Sequence, residues 1–393
     1  MKRLLTLLLA LLIPCAALCD SGVTIPDLTA DEVEIPDNEA MAFLRRMGLG
    51  WNLGNTLDAY GAWYTGEMNS ETCWGNPRTT AVIFQALKEA GFGYVRIPIT
   101  WHGHFDSGYT ISDAWMDRVQ EVVDMALDAG LIVIINTHHD NDVRYYYPDR
   151  DHEEESCRFV SRIWEQVAAR FADYDERLIF ENLNEPRLVG TSYEWTFNTA
   201  MPVVREAAEI INEMNQLFVD TVRASGGYNA ERYLSVCGYA ASVDGINPQY
   251  FTLPADTADN RIIVAAHAYS PYNFALNTSG TAAFSLDSAS DRSGVISPLQ
   301  TLYVNWISKG IPAYMGEFGS VDKHNPQARV DHAALYVSTA AQWNIPVTWW
   351  DNGAFSGGGE LFGILNRRTG AFTFSELVET MTRYSLREAV TAD

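Results

Sequence analysis

Short apolar runs alternate with helical patterns along most of this chain, and this alternation constrains the fold more than any other feature. Eight runs are predicted strands: residues 48–55, 94–101, 132–138, 178–184, 233–238, 262–268, 313–318 and 347–351. Their almost continuous apolar character is typical of parallel strands that are buried on both faces. We therefore predict an α/β fold, a single-domain (β/α)8 TIM barrel.

Helical patterns fill the gaps between these strands. In residues 115–127, apolar side chains recur at the i, i+3, i+4 spacing of an amphipathic helix. The same period predicts helices at 80–90, 156–171, 203–223, 298–309, 327–343 and 374–386. Gly91, Gly130 and Gly310 suit the left-handed position that ends a helix. The alternative is an open doubly wound sheet, but the glycine-rich nucleotide turn expected after its first strand is missing.

The two ends of the chain differ from the barrel pattern. Residues 1–19 resemble an export signal, with a basic start, an apolar run and small residues before Cys19. Cleavage near Cys19 would give a secreted protein, extracellular or periplasmic, and a lipid anchor on Cys19 is the alternative. Residues 20–38 are predicted to be a lead-in segment and residues 39–393 the (β/α)8 catalytic domain. We expect no stable membrane association.

The charge and the cysteines restrict the partners. The formal net charge is −23, and so acidic a surface repels nucleic acid and anionic lipid. After loss of the signal, Cys73, Cys157 and Cys237 remain, an odd number without zinc-site spacing. A bridge between Cys73 and Cys157 is conceivable, and Cys237 is expected to be an inert core thiol. We expect a monomer that binds a neutral ligand.

Two acidic phrases carry most of the functional information. Glu185 lies in Asn184-Glu185-Pro186 and Glu317 lies in Gly316-Glu317-Phe318-Gly319, each at the end of an apolar run. A carboxylate at the end of a buried strand is costly unless the site needs it. Two such acids facing each other across a cleft are what hydrolysis of a glycosidic bond requires. We therefore predict an enzyme that cleaves polysaccharide.

Polar and aromatic residues collect at the same ends of the other strands, where barrel enzymes hold their sites. They include Asn52, Asn55, Asp58, Arg96, Trp101, His138, His139, Asp140, Asn184, His267, Tyr269, Trp350 and Asn352. Arg96 and Tyr269 are predicted to lower the pKa of a nucleophilic Glu317. The charge of Glu317 is predicted to raise the pKa of Glu185, the acid.

The supporting residues also have predicted tasks. Asn184 would donate to the sugar 2-hydroxyl, and Trp350 would offer a flat apolar face to the ring. His138 and His267 would support the carboxylates through hydrogen bonds. His138-His139-Asp140 resembles a set of metal ligands, but neighbours on a strand point to opposite faces, so we predict no metal and no cofactor.

Three other hypotheses stay open at this point. Glu185 and Glu317 could be structural carboxylates paired with Arg96 or Arg187. The barrel could bind carbohydrate without catalysis, or it could be a metal-dependent lyase or isomerase that uses the histidines. Serine-hydrolase chemistry is not indicated, because the chain has no Gly-x-Ser-x-Gly sequence.

Eight motifs together resemble glycoside hydrolase family 5, the cellulase and endo-β-1,4-glucanase family. They begin with Gly-Trp-Asn-Leu-Gly-Asn-Thr-Leu-Asp at 50–58 and continue through Trp-Gly-Asn-Pro at 74–77, Val-Arg-Ile-Pro at 95–98, His-His at 138–139, Asn-Glu-Pro at 184–186, His-Ala-Tyr at 267–269, Gly-Glu-Phe-Gly at 316–319 and Trp-Trp-Asp-Asn at 349–352. The resemblance implies a retaining enzyme with Glu185 as acid/base and Glu317 as nucleophile.

The same resemblance extends to the substrate. It implies that Arg96, His138, Asn184, His267, Tyr269 and Trp350 complete the site, and that Asn55 and Asp58 hold sugar further from the cleaved bond. Cellulose or a related β-glucan is the expected β-linked polysaccharide. The alternatives within the family are a xyloglucanase and a β-mannanase.

Overall fold

The structure is a computed structural model that describes residues 22–29, 33–63 and 65–386. The predicted export signal, residues 1–19, lies outside these ranges, as does part of the predicted lead-in segment 20–38. Among the described helices, none has the length and apolar character that a membrane span requires.

Eight parallel strands form a closed barrel, in which each strand pairs with the next and the eighth pairs with the first. They are β1 (Leu49–Leu53), β2 (Tyr94–Ile97), β3 (Ile132–Asn136), β4 (Leu178–Glu181), β5 (Leu234–Ser242), β6 (Ile262–His267), β7 (Ala313–Phe318) and β8 (Val347–Asp351). The predicted strands and the predicted TIM barrel are confirmed. Five strands end earlier than predicted, because the chain leaves the hydrogen-bonded ladder while it is still buried at the rim.

Helices lie between the strands. They are α1 (Glu39–Met47), α2 (Ala81–Ala90), α3 (Asp113–Asp128), α4 (Glu153–Arg170), α5 (Pro202–Ala224), α6 (Tyr272–Ala275), α7 (Ala289–Asn305), α8 (Pro326–Gln342) and α9 (Ser375–Tyr384). Short 3₁₀ helices cover Glu67–Thr72, Gly227–Ala230 and Ile307–Lys309. A two-stranded antiparallel sheet, β9 (Leu365–Asn366) and β10 (Ala371–Phe372), follows β8.

Three helices differ from the sequence prediction, of which the short helix α6 was not predicted at all. Helix α1 was not predicted, although Asn38 caps it by accepting a hydrogen bond from the Met41 amide at 2.9 Å. Helix α7 was predicted to start at Pro298 but begins at Ala289, so the proline lies inside it. Proline is most common in the first turn of a helix, which is why the pattern placed the start too late.

The glycines that were predicted to end helices do so. Gly91 follows α2 with φ 98° and Gly310 follows the Ile307–Lys309 turn with φ 78°, both in the left-handed region. The Gly91 amide donates to the carbonyls of the last turn of α2. A residue with a β-carbon is strained in this conformation, so glycine allows each turn to enter the next strand at once.

The described part of the lead-in segment packs on the outside of the barrel. The Leu28 amide donates to the Tyr384 hydroxyl at 3.0 Å, and the Thr24 backbone exchanges two hydrogen bonds with the Gln327 side chain. These contacts tie the segment to α8 and α9. They explain why a polar, proline-containing stretch has a defined path.

The three cysteines in the described ranges, Cys73, Cys157 and Cys237, are free thiols. The bridge that was conceivable between Cys73 and Cys157 is therefore not formed. Cys237 is fully buried on β5, and its thiol donates to the Leu183 carbonyl at 3.2 Å. This environment agrees with the predicted core thiol.

Candidate active site

The two acidic phrases meet at the carboxyl end of the barrel. Glu317 lies on β7, and Glu185 lies in the loop just after β4. A carboxylate oxygen of each and a ring nitrogen of His267, from the end of β6, all lie within 4.8 Å of one another. The predicted meeting of two distant acids is therefore observed.

Glu317 is held by two fixed donors. Arg96 Nη1 donates to its Oε1 at 2.9 Å, and the Tyr269 hydroxyl donates to its Oε2 at 2.7 Å. These are the two partners that the sequence predicted. Burial nevertheless raises the pKa of Glu317, and the charge of Glu185 adds to this effect, so that the attraction of His267 and Arg96 only limits the rise.

Glu185 has a different partner. Its Oε1 lies 2.9 Å from Nδ1 of His267. Burial would raise the pKa of Glu185, but the hydrogen bond and the charge of His267, with the charge of Arg187, bring it below its ordinary value. The pKa values of the two acids in the unliganded site therefore move in the directions opposite to those predicted.

His267 is the physical reason for this reversal. Burial alone would lower its pKa, but the charges of Glu317 and Glu185 outweigh burial and raise it. The cationic imidazole therefore favours the ionised form of its hydrogen-bond partner. Three groups this close titrate as one unit. A hydrogen bond from His267 to the carboxylates was predicted from the sequence, but its effect on their pKa values was not.

Arg96 connects Glu317 to the rest of the floor of the site. Its Nη2 donates to Asn184 Oδ1 at 2.7 Å, and its Nη1 also donates to Asn52 Oδ1 at 3.0 Å. The guanidinium is fully buried, and negative charges around it keep its pKa above the ordinary value although burial alone would lower it. Because the Asn184 oxygen is occupied by Arg96, its amide nitrogen is the atom left for a ligand.

Glu181 is a functional residue that the sequence analysis missed. This buried carboxylate, the last residue of β4, accepts from Nε and Nη2 of Arg96 at 2.9 and 2.6 Å. It also accepts from Asn136 at 3.0 Å and from the Tyr314 hydroxyl. Burial opposes its charge, yet Arg96 lowers its pKa. Glu181 directly follows the apolar run Leu-Ile-Phe, and a charged residue at this place in a strand is the sequence signal that could have identified it.

The two consecutive histidines lie on one side of the cleft, which corrects the sequence argument. Strand β3 ends at Asn136, so His138 and His139 lie in a loop, and their rings contact each other with centres 4.4 Å apart. A carboxylate oxygen of Asp58 lies 3.6 Å from Nε2 of His139. The alternation of a strand does not apply beyond its last paired residue.

The described hydrogen bond of His138 goes to Asn136 and not to Glu185 or Glu317. Its Nδ1 lies 3.1 Å from the Asn136 amide nitrogen, and its ring is parallel to Trp350 with centres 5.8 Å apart. Burial and the nearby positive groups hold the pKa of His138 well below its ordinary value, so the ring is neutral. The predicted support from His267 is observed, whereas that from His138 passes through Asn136 and Glu181.

Asn55, Asp58 and Asn352 shape the loops at this end. Asn55 has φ 56°, and Asp58 accepts from the amides of Asn55 and Thr56 at 3.0 and 2.6 Å. The Asn352 amide donates to the Glu360 carbonyl at 2.7 Å. These bonds fix the turns after β1 and β8, and contact of the three side chains with sugar stays a prediction.

Comparison with known proteins decides the family. A family model described as Cellulase (glycosyl hydrolase family 5) matches residues 57–356. The chain belongs to glycosyl hydrolase family 5. Endoglucanase 1 of Ruminococcus albus is 42% identical to it over 357 residues, which are 90% of this chain and 83% of that protein. Cellulase/esterase CelE of Acetivibrio thermocellus is 39% identical over 369 residues, and the match covers 92% of this chain but only 43% of CelE.

Solved structures agree with this assignment. A family 5 lichenase from Caldicellulosiruptor sp. F32 is 44% identical, with a TM-score of 0.91 over 92% of this chain and 99% of the lichenase. A mutant of the same lichenase has been solved with cellotetraose. The predicted family, the barrel and the enzyme class are confirmed: this chain is a glycoside hydrolase, similar over most of its length to endoglucanases.

An aromatic surface extends the site of this family 5 enzyme beyond His139. The rings of Tyr60 and Trp74 each lie 5.6 Å from the ring of His139, and those of Tyr60 and Trp74 lie 5.4 Å apart. Tyr145 stacks on His102, which contacts Tyr60 in turn. Sequence alone could not decide whether these aromatics belong to the cleft, because they come from three separate loops.

Two groups of side chains in the described ranges have a spacing that could hold a cation. One is Asp58, His138 and His139, and the other is Glu185, His267 and Glu317. Both lie where the sequence predicts sugar. That the enzyme needs no metal or cofactor stays a prediction, which a chelator tests.

Proposed function

We propose that this family 5 enzyme is a secreted, retaining endo-β-1,4-glucanase that acts on cellulose or related β-glucans. Glu317 is the nucleophile and Glu185 the acid/base. The observation that carries this proposal is that oxygens of the two carboxylates lie within 4.8 Å of each other. Retaining enzymes separate their carboxyl groups by about 5–5.5 Å, whereas inverting enzymes need about 6.5–9.5 Å to admit a water molecule.

The partners of the two acids support this division of roles. Glu317 is oriented by Arg96 and Tyr269, whose donors stabilise the carboxylate when it leaves the sugar again. Glu185 is bonded to His267, a group that can exchange a proton with it. A nucleophile needs fixed orientation, and an acid/base needs a proton source.

The first step forms a glycosyl-enzyme intermediate. A Glu317 oxygen attacks C1 of the sugar, the glycosidic C1–O bond breaks, and the leaving oxygen takes the proton of Glu185. His267 can pass a proton to Glu185 Oε1 along their 2.9 Å hydrogen bond. Bound sugar displaces water from the carboxylates, which favours the neutral Glu185–His267 pair over the ion pair.

The second step regenerates the enzyme. Water bonds to C1 from the side that the leaving sugar occupied, and its proton passes to Glu185. The bond between C1 and Glu317 breaks, and its electron pair returns to the carboxylate. Two displacements at C1 retain the β configuration. The Asn184 amide nitrogen is the proposed donor to the sugar 2-hydroxyl, and Trp350 is the proposed face against the cleaved ring.

The substrate class follows from the relatives and from the chemistry of the cleft. Asp58, His139 and the aromatic surface beyond them would hold sugars further from the cleaved bond. Neutral glucan is compatible with a net charge of −23, which disfavours anionic polymers. The protein is proposed to be a secreted monomer whose export signal, residues 1–19, is cleaved during export.

Product analysis on a panel of polymers tests this proposal. Soluble cellulose derivative, mixed-linkage β-glucan, xyloglucan and glucomannan are incubated with the enzyme, with and without chelator, and the first-formed anomer is read by proton NMR. We expect β-anomer products, preference for the glucans and no loss with chelator. First-formed α-anomer would overturn the retaining mechanism, and no released sugar on any polymer would favour a binding barrel.

A further inference from the structure

An arginine that the reaction scheme does not use lies beside the acid/base. Arg187 Nη1 lies 3.9 Å from Oε2 of Glu185 and donates to the Glu185 backbone carbonyl at 2.9 Å. His267 contacts the other oxygen, Oε1. Each oxygen of the acid/base therefore faces its own cationic partner, and the arginine keeps its charge at every working pH.

The guanidinium of Arg187 is held on several sides. Its Nε lies 3.3 Å from Oε1 of Glu194, and its central carbon lies 3.9 Å from the ring centre of Trp195. The Arg187 backbone exchanges hydrogen bonds of 3.1 and 2.9 Å with the Asn141 side chain. The Arg187 side chain is only 18% exposed, whereas Trp195 is 62% exposed. A stacked and ion-paired arginine samples few rotamers, so its charge stays at one place.

We propose that Arg187, held by Glu194 and Trp195, is a positioning residue that orients Oε2 of Glu185 and stabilises its carboxylate form. This inference rests on the proposed function of Glu185. The effect matters most in the second step, in which water bonds to C1, the bond from C1 to Glu317 breaks, and Glu185 accepts the proton of water. A carboxylate that is turned away from water cannot accept this proton.

Other charged and titratable groups also act on Glu185. They are His267 from β6, Tyr269 from the loop after β6, Glu317 from β7, His139 and Tyr146 from the loop after β3, Cys237 from β5 and Glu360 from the loop after β8. The carboxyl, hydroxyl and thiol groups of this set carry no positive charge. Arg187 therefore supplies the permanent positive charge in this set.

The test compares Arg187→Met with Arg158→Met as the matched control. Arg158 on α4 has the same kinds of partner, since it pairs with Glu155 at 3.4 Å and lies 5.2 Å from the Tyr109 ring. The substrates are mixed-linkage β-glucan, which needs acid assistance, and 2,4-dinitrophenyl β-cellobioside, whose leaving group needs none. With the activated substrate the second step limits kcat, so kcat reports the base role alone.

We expect Arg187→Met to lower kcat on the dinitrophenyl substrate about tenfold, because Glu185 loses one charged contact. The kcat/KM for the dinitrophenyl substrate should change little. Loss of the cation also raises the pKa of Glu185, so the alkaline limb of kcat/KM on β-glucan moves up by about one pH unit. Trp195→Ala should lower kcat and shift the alkaline limb in the same direction. Trp195→Phe keeps an aromatic face and should have a smaller effect.

Two results would overturn the inference. One is an Arg187→Met enzyme that matches Arg158→Met in kcat and pH profile. The other is a uniform loss of activity on both substrates without a shift of the alkaline limb, which indicates a merely structural role. Glu185→Gln is measured in parallel: if it keeps near-wild-type turnover on both substrates, the proposed function itself fails, whatever Arg187 does.

Discussion

The Nδ1 atom of His267 lies 2.9 Å from Oε1 of Glu185, the proposed acid/base. The same nitrogen lies 3.7 Å from Oε2 of Glu317. The imidazole therefore stands between the two carboxylates, and their charges raise its pKa. Its replacement affects stability and activity in a way that depends on pH.

We predict that His267→Gln loses stability mainly at mildly acidic pH. The folded pKa of His267 is raised from 6.5, so its stabilisation is fully present below about pH 6.5 and disappears as the pH rises through the folded value. At the acid end, the pKa of Glu185 is lower in the folded protein than its unfolded value of about 4.3. The stability that this carboxylate contributes is therefore present above about pH 4.3 and is lost as the pH falls through the folded pKa. Urea unfolding at several pH values measures the difference from wild type.

His332→Gln is the control for this prediction. His332 is buried, and burial lowers its pKa to about 4, so its stabilisation is present above about 6.5 and is lost as the pH falls. The stability difference between His332→Gln and wild type should therefore change between about pH 4.5 and 6.5, whereas the difference for His267→Gln stays level there and shrinks as the pH rises above about 6.5. A difference for His267→Gln that does not shrink above about pH 6.5 would mean that His267 is not charged in the folded enzyme.

We predict that Glu181→Gln lowers both stability and turnover. Arg96 would keep only Glu317 as a carboxylate partner, and breaking a buried ion pair costs about 3–5 kcal/mol. Without Glu181, the Arg96 guanidinium would be less fixed and would hold Glu317 in place less well. We therefore expect kcat to fall at least tenfold. Chemical unfolding and kinetics on β-glucan measure the two effects.

Glu71→Gln separates stability from catalysis. Glu71 forms another buried pair, with Arg118 at 2.7 Å, between the Glu67–Thr72 turn and α3. We expect a comparable loss of stability with kcat unchanged below the unfolding temperature. If Glu181→Gln keeps wild-type kcat, then Glu181 does not position Arg96.

We predict that Tyr269→Phe slows the reaction and shifts its acidic limb. The variant loses the donor at 2.7 Å to Oε2 of Glu317, a bond to a charged group worth about 1.5–3 kcal/mol, which corresponds to about a 10- to 100-fold fall in kcat. Without this donor the pKa of Glu317 rises further, so the acidic limb moves to higher pH. The pH dependence of kcat/KM measures the shift.

Tyr336→Phe provides the comparison. Tyr336 is also a tyrosine near this end of the barrel, but its hydroxyl donates to the Ala268 carbonyl at 3.1 Å and to neither acid. We expect Tyr336→Phe to change the free energy of unfolding by about 1 kcal/mol and to leave the acidic limb of kcat/KM in place. A Tyr269→Phe enzyme with an unshifted limb would contradict the assigned role of this hydroxyl.

We predict that Gly54→Ala impairs substrate binding through Trp350. A β-carbon at Gly54 would lie 2.8 Å from two indole carbons of Trp350 and 2.9 Å from the Asp351 carbonyl, so the indole must shift. Since Trp350 is the proposed face for the sugar, KM on cello-oligosaccharides should rise several-fold. Gly358→Ala, in the loop after β8, meets no atom within 4 Å and should have little effect. Equal KM values for both variants would contradict the prediction.

The barrel could be predicted from the sequence because the apolar periods of its strands and helices are short-range patterns. Strand β3 and helix α3 each have an apolar period that can be read without knowing their neighbours. Capping at Asn38 before α1 and the early start of α7 were missed, because each depends on one side-chain contact or on a tolerated proline. Such local exceptions do not alter a period-based assignment of the fold.

Within the site, the sequence indicated which residues reach the rim but not how they share charge. Arg96, Tyr269 and Glu317 were predicted as partners and are observed as partners. The pKa order of the acids and the direct support from His138 were predicted wrongly. A pKa depends on every charge within several ångströms, and these charges come from strands far apart in the chain.

The sequence by itself determined an eight-stranded barrel of family 5 with two acids at its rim, because periodicity and motif order are properties of the linear chain. Only the tertiary structure decided that His267 stands between the acids, that Glu181 fixes Arg96, and that Trp195 covers Arg187. These relationships depend on distances of a few ångströms between side chains from different strands and loops. Barrel closure sets those distances, and no local pattern contains them.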